Sequence, residues 1–165
     1  MIRLLIVILT CCLTAVSGRA EDILMKDVFR QVPDSLFPYL SETNRLDFID
    51  FLDSGMKAEV RNELGDTSEM TALTADSLSI RMSEALRVDM LLLKPEGAAD
   101  SCRIVCLVET FGTDSLSRQS IASFYTLHWQ PIAGVPPLSE ADKKRLEAIK
   151  LQTILKWDDE ILKKN

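Results

Sequence analysis

Apolar residues recur every three or four positions from residue 24 onward, which is the spacing of one helix face. The stripe comprises Leu24, Met25, Val28, Phe29 and Val32. Pro33 ends this first helix, because proline cannot donate the backbone hydrogen bond that would continue it. A second helix is predicted over NRLDFIDFLD, residues 44–53, with Ser41 as its N-cap and Gly55 as its stop. Its inward positions are predicted to be Leu46, Phe48, Ile49, Phe51 and Leu52.

From Lys57 onward apolar and polar positions alternate, which is the two-residue period of a half-buried strand. Five or six strands with short turns between them predict an antiparallel meander, in which each strand pairs with the next one along the chain. The predicted strands lie within 57–64, 69–74, 78–84, 86–93, 102–110 and 118–130. Because the helices mostly precede the strands, the fold class is α+β, with the N-terminal helices packed on the sheet.

The tail, residues 134–165, predicts a C-terminal helix. Pro136 and Pro137 break the chain, and Ser139 followed by Asp142 has the spacing of a helix N-cap pair. The stretch from Thr153 to Trp157 fits either a continuation of this helix or an edge strand.

The N-terminus has the layout of a secretory signal peptide. Arg3 precedes an uncharged apolar stretch of about 13 residues, which is shorter than the roughly 20 that a membrane-spanning helix needs. We therefore expect residues 1–20 to be removed on export to the periplasm. Residues 21–165 would then form one domain with no transmembrane span. An uncleaved anchor helix, or a lipid attached at Cys11 or Cys12, remains an alternative.

The exported chain is expected to be acidic. The 19 Lys and Arg residues include Arg3 and Arg19, so 17 would remain against 25 Asp and Glu, a net charge of −8. Such a domain repels phosphates, which argues against nucleic acid as a partner. The glycines show no phosphate-cradling spacing, and no cofactor is expected.

Cys102 and Cys106 are the only cysteines beyond the signal segment. Four positions along a strand separate them by about 13 Å, whereas a disulfide needs Cα atoms within about 7 Å. Structural zinc takes four ligands, and this part of the chain has only three Cys or His residues, so no metal site is expected. Apolar neighbours favour a central strand with two packed free thiols. An intermolecular disulfide through Cys102 and a catalytic thiol remain alternatives.

Other catalytic candidates are weak, and no catalytic residue is assigned. His128 is the only histidine, so a nucleophilic site that uses a histidine would have to be built around it. Asp47, Asp50 and Asp53 line one helix face, whereas glycosidase carboxylates face each other across a cleft. A structural or surface histidine and a solvated aspartate row are the favoured interpretations.

The aromatic cluster at the end of the last predicted strand is the best candidate surface for a partner or ligand. Its residues are Phe124, Tyr125 and Trp129, together with His128. Exposed aromatic side chains at a sheet end can hold a protein or an apolar ligand. The competing interpretation places them in the core.

Several stretches carry a family resemblance. They are PDSLFPYL near residue 36, LTADSLSIRMSEALRVDMLLL, CRIVCLVET and the pattern F-Y-T-x-x-W-x-P. Between residue 25 and about residue 132 the chain resembles a family of exported Bacteroidetes proteins, domain of unknown function 3256. The resemblance implies export and a shared α+β fold, and it implies nothing about catalysis.

Together these observations favour a non-enzymatic protein of the Gram-negative envelope. The first hypothesis is an interaction or assembly module that binds an envelope protein through the aromatic sheet end or a free sheet face. The alternative is a periplasmic carrier that holds an apolar small ligand between the N-terminal helices and the sheet. A third is an unrecognised hydrolase that uses His128 or the aspartates.

Overall fold

The computed structural model describes residues 22–99, 101–113 and 118–150. Its helices are α1 (Met25–Arg30), a single 3-10 turn (Asp34–Leu36), α2 (Glu42–Asp53) and a C-terminal helix, α3, over 140–150. Its strands are β1 (Glu59–Arg61), β2 (Thr67–Leu73), β3 (Ser77–Arg81), β4 (Leu86–Leu93), β5 (Ile104–Phe111), β6 (Gln119–Tyr125) and β7 (Pro131–Ile132). No helix among these residues is long and apolar enough to cross a membrane.

The strands form one antiparallel sheet in the order β1 to β7, so every strand pairs with its sequence neighbour. The predicted α+β class and meander are confirmed, with seven strands among the described residues where five or six were expected. The central position predicted for β5 is also confirmed, because six of its eight residues are buried. The predicted signal peptide, Cys11, Cys12 and residues 153–157 lie outside the described residues.

The N-cap and the stop predicted for the second helix are confirmed. Ser41 Oγ accepts a hydrogen bond from Asn44 N–H at 3.2 Å and begins α2. After α2, Gly55 takes a left-handed φ of 69°, and Met56 N–H donates to the Phe51 carbonyl at 2.8 Å. Glycine adopts this conformation without the steric penalty of a side chain, which explains why the helix ends there.

The sheet is covered on both faces. The first face, with Val88, Met90 and Leu107, packs against α1 and α2. The second face, with Leu91, Cys106 and Phe124, packs against Leu138 and α3. The expectation that one sheet face stays free is therefore wrong for this part of the second face, because its strands present apolar side chains that need cover.

Three details of the predicted pattern are wrong. Leu46 is 38% exposed and Arg45 takes the inward position. Leu64 is 67% exposed, because the side chain of Asn62 accepts hydrogen bonds from Leu64 N–H and Asp66 N–H and turns the chain after β1. The long last strand ends at Tyr125, and residues 126–130 form a turn before β7.

Cys102 also departs from the prediction. It precedes β5 and is exposed, whereas Cys106 is buried within β5. Both thiols are free, as expected, but only one of them is packed in the core.

Candidate functional site

The structure separates the four aromatic-cluster residues that the sequence grouped together. Phe124 and Tyr125 are consecutive in β6 and therefore point to opposite faces. Phe124 is buried in the second-face core, whereas Tyr125 is half-buried on the first face. A single binding surface made of all four side chains is not formed.

The turn after β6 determines the positions of His128 and Trp129. Thr126 Oγ1 accepts hydrogen bonds from His128 N–H at 3.3 Å and Gln130 N–H at 3.2 Å. Trp129 takes a φ of 60°, which is uncommon for a residue other than glycine, and its ring is buried 5.7 Å from that of Tyr125. His128 is left exposed, at the edge of a depression beside α1.

Tyr125 borders a groove that the chain forms between residues 35–39 and the first face of the sheet. The cavity has a volume of about 310 Å³. It is lined by Ser35, Leu36, Phe37, Pro38, Tyr39, Met82, Leu86, Val88, Leu107, Glu109, Phe111 and Tyr125. Pockets for small ligands are typically about 300–1,000 Å³ and mostly apolar, so the groove has the size and lining of a small binding site.

Arg45 of α2 holds the outer wall of this groove in place. Its guanidinium is buried and donates to the Leu40 carbonyl at 2.8 Å, the Val32 carbonyl at 3.3 Å and Asp34 Oδ1 at 2.7 Å. These bonds tie both ends of the segment that contains the PDSLFPYL motif to α2. The guanidinium fork suits this task, because it presents several donors in a fixed plane.

The floor of the groove is closed and its rim is apolar. Met82, Val88 and Leu107 are buried beneath it, whereas Tyr39 and Phe111 are 37% and 40% exposed at its edge. The rings of Phe29 and Phe37 meet edge to face at 5.7 Å behind the wall. The wall therefore rests on the first-face core.

Among the residues that the structure describes, Glu109 is the only acidic one that lines the groove. It lies between Val88 of β4 and Ile121 of β6 in the strand register. Burial raises the pKa of its carboxyl above the ordinary value of 4.5. Desolvation raises a carboxyl pKa because the charged form loses water without gaining a partner.

A larger cleft lies between residues 22–24 and the start of α3, with a volume of about 560 Å³. Its polar groups bind one another: Arg145 pairs with Asp76 at 2.8 Å, and Asp142 accepts from Ser139 Oγ at 3.0 Å. Asp142 N–H also donates to Ser139 Oγ at 3.1 Å, which confirms the cap predicted for α3. This cleft is lined mainly by polar and charged side chains, and Arg145, Asp76 and Asp142 among them already have partners.

The other predicted candidates do not assemble into a reactive site. Burial raises the pKa of the Cys106 thiol to about 12, so it stays protonated at neutral pH. Asp47 is half-buried, Asp50 and Asp53 are exposed on α2, and none of the three lines the groove or the depression beside His128. Within the described residues, no group of three or more Cys, His, Asp or Glu side chains could hold a metal ion.

Sequence reasoning missed both Glu109 and the groove. A signal was present: Glu109 interrupts an apolar run in a strand predicted to be buried on both faces. A charge at such a position needs a partner or an opening to solvent. The groove wall could not be inferred in the same way, because it depends on the contacts of Arg45.

Among solved structures, the chain is similar to one entitled "Structure of a domain of an uncharacterized protein from Porphyromonas gingivalis W83". The two share 24% sequence identity with a TM-score of 0.53 over 66% of this chain. The match covers 53% of that chain, about half its length, and shows a common fold. No curated protein matches the sequence.

The match to a family model is much more extensive than that structural similarity. Residues 15–159 match the family described as "Protein of unknown function (DUF3256)". The resemblance drawn from PDSLFPYL and the later motifs is therefore confirmed, and the chain belongs to this family.

Proposed function

We propose that the protein is a carrier or receptor of the cell envelope that binds a small apolar ligand in the groove. Of the two binding hypotheses that the sequence raised, the groove supports the second more directly. The supporting observation is a cavity of about 310 Å³ between residues 35–39 and the sheet, with a closed apolar floor. The envelope location is supported by the signal-like N-terminus.

The architecture fits reversible binding. The floor is formed by buried side chains of β4, β5 and the residue after β3, whereas the wall is a short segment whose two ends are bonded to Arg45 of α2. A ligand in the groove would bury Leu86 and Tyr125, which are half-buried without it. Each square ångström of apolar surface removed from water contributes about 25 cal/mol to such binding.

The groove can be tested with a neutral apolar dye, N-phenyl-1-naphthylamine, whose fluorescence rises on leaving water. We expect saturable binding of one dye per exported chain and displacement by 1-octanol. Ser35→Trp places an indole at the mouth of the groove from an exposed position and should weaken dye binding at least tenfold. Ser54→Trp, an equal change at the exposed end of α2, should leave it unchanged.

Two results would contradict the proposal. One is dye fluorescence that rises linearly without saturation. The other is equal dye affinity in Ser35→Trp and wild type, provided that circular dichroism shows both variants folded. Either result would place apolar binding outside the groove.

The interaction hypothesis retains one supporting observation. Phe111 and Ile121 lie on the first face of the sheet and are 40% and 54% exposed, and Tyr39 at the rim is 37% exposed. Exposed apolar side chains of this kind can also contact a protein. Cross-linking of the exported protein in its own cells, followed by mass spectrometry, tests this function. A partner that is lost in Phe111→Ser and kept in Val135→Ser would support it.

A further inference from the structure

Glu109 differs from the other acidic side chains of the sheet in its surroundings. Its neighbours across the strands are Val88 and Ile121, and Leu107 and Phe111 lie on the same face of its own strand. All four are apolar. The carboxylate therefore lies in a half-buried setting that stabilises its charge poorly.

No hydrogen bond or ion pair of the Glu109 carboxylate occurs in the part of the chain that the structure describes, and burial is the only cause of its raised pKa. Among the described residues, the other titratable side chains that line the groove are the phenols of Tyr39 and Tyr125, and no Lys, Arg or His side chain lines it. This part of the protein thus offers an acceptor in the groove without a cationic partner for it.

We propose that the groove selects a small amphiphile with a cationic head, such as a primary ammonium, which pairs with Glu109 while its apolar body lies on the floor. This inference rests on the proposed function and specifies its ligand class. A charge-assisted hydrogen bond from the ammonium would give the carboxylate the partner that it lacks. The net charge of −6 for the whole chain would also attract cations.

The size of the groove limits the ligand body. A volume of about 310 Å³ corresponds to about ten water molecules at roughly 30 Å³ each. A linear chain of about eight carbons with one head group fits this space. Octylammonium, 1-octanol and octyl sulfate share that body and carry a positive, a neutral and a negative head.

The three compounds are compared as competitors of N-phenyl-1-naphthylamine at pH 7.5 with the exported protein. Octylammonium should displace the dye at a concentration at least tenfold lower than 1-octanol, and octyl sulfate should be the weakest. Glu109→Gln should remove the advantage of octylammonium over octanol, read as the ratio of the two displacing concentrations within the same variant. Glu140→Gln is the matched control on α3, where Glu140 pairs with Lys143 on the surface, and should change nothing.

A second measurement separates local pairing from general attraction. Raising the salt to 0.5 M screens the net charge of the protein. The preference for octylammonium should persist in the wild type under these conditions, because its head would contact Glu109 directly.

The outcomes of the two proposals can be told apart. The cationic-ligand proposal is wrong if dye and octanol bind but octylammonium has no advantage, or if that advantage survives in Glu109→Gln. Neither result contradicts the groove as a binding site for apolar ligands. Failure of the dye to bind would overturn the groove itself.

Discussion

Two carboxylates on neighbouring strands show how the two faces of the sheet differ. Asp89 of β4 is buried on the second face, and its carboxylate accepts a hydrogen bond from the hydroxyl of Ser79, its register partner on β3. Glu109 of β5 is half-buried on the first face between Val88 and Ile121, without such a bond among the described residues.

The same contrast extends to their surroundings. On the second face, Arg87 donates to Thr71 Oγ1 at 3.3 Å, and the hydroxyls of Thr110 and Ser120 are 2.8 Å apart. These four side chains bind one another in two pairs, which is what burial requires of polar groups. A carboxylate left without a partner contributes nothing comparable to stability, and this is why Glu109, and not Asp89, is the candidate for recognising a ligand.

Asp89→Ala should destabilise the second face of the sheet, and we expect it to lower the free energy of unfolding more than any other variant considered. It removes a buried acceptor and leaves Ser79 without its partner, so we expect a loss of about 3 kcal/mol in the free energy of unfolding. Urea denaturation followed by circular dichroism measures it. A loss below about 1 kcal/mol would mean that Asp89 is no more structural than Glu109.

Arg45→Ala should loosen the groove wall on the first face. Two buried carbonyls, of Leu40 and Val32, lose their donor, so we expect a loss of about 2–3 kcal/mol. Arg30→Ala, which removes an exposed ion pair with Asp27, is the control and should cost less than about 0.5 kcal/mol. Equal unfolding midpoints for the two variants would rule out Arg45 as the anchor of the wall.

Cys106→Ser tests the apolar half of the second face. The serine hydroxyl would replace a fully buried thiol among Leu91, Val108 and Phe124, so we expect a loss of about 1–3 kcal/mol. Cys102→Ser changes an exposed thiol and should leave thermal stability unchanged. A neutral Cys106→Ser variant would indicate a polar partner for the hydroxyl.

Glu109→Gln should have a small effect of the opposite sign. The folded-state pKa of Glu109 is raised, so the native state is most stable when the carboxyl is protonated and loses stability as the pH rises from about 4.5 through the raised value. The variant should therefore exceed wild type by less than about 1 kcal/mol at pH 7, since solvent screens a half-buried group. Below about pH 4 the difference should disappear. The difference is measured from the unfolding free energies of both proteins across this pH range. A variant that is less stable than wild type at pH 7 would mean that Glu109 has a structural partner.

Asp50→Asn should change the free energy of unfolding least. Asp50 is exposed on α2, away from both cores, so we expect a change below about 0.5 kcal/mol in chemical denaturation. A larger loss would show that the aspartate row of α2 has a structural role that its exposure conceals.

Much of this architecture could be predicted from local patterns in the sequence. Ser41, Gly55 and Ser139 act within a few residues of themselves, and the strand alternation reports burial one strand at a time. These signals gave the caps, the meander and the C-terminal helix. The family was identified from short motifs that span the same elements.

The groove could not be predicted, because it depends on contacts between distant segments. Arg45 was not among the inward positions predicted for α2, yet it is buried because the chain from Val32 to Leu40 presents carbonyls to it. The turn at Trp129 was hidden in the same way, since the apolar pattern of β6 continues into it while Thr126 redirects the backbone.

The two edges of the sheet bear on whether separate copies of the chain can pair through their backbones. Among the described residues, the outermost strands are β1, with three residues, and β7, with two residues, one of which is Pro131. Such short edges offer few unpaired backbone groups to a neighbouring molecule, and proline lacks a donor altogether. The sheet thereby resists joining with other copies into fibrils, although its central strands are among the most apolar parts of the chain.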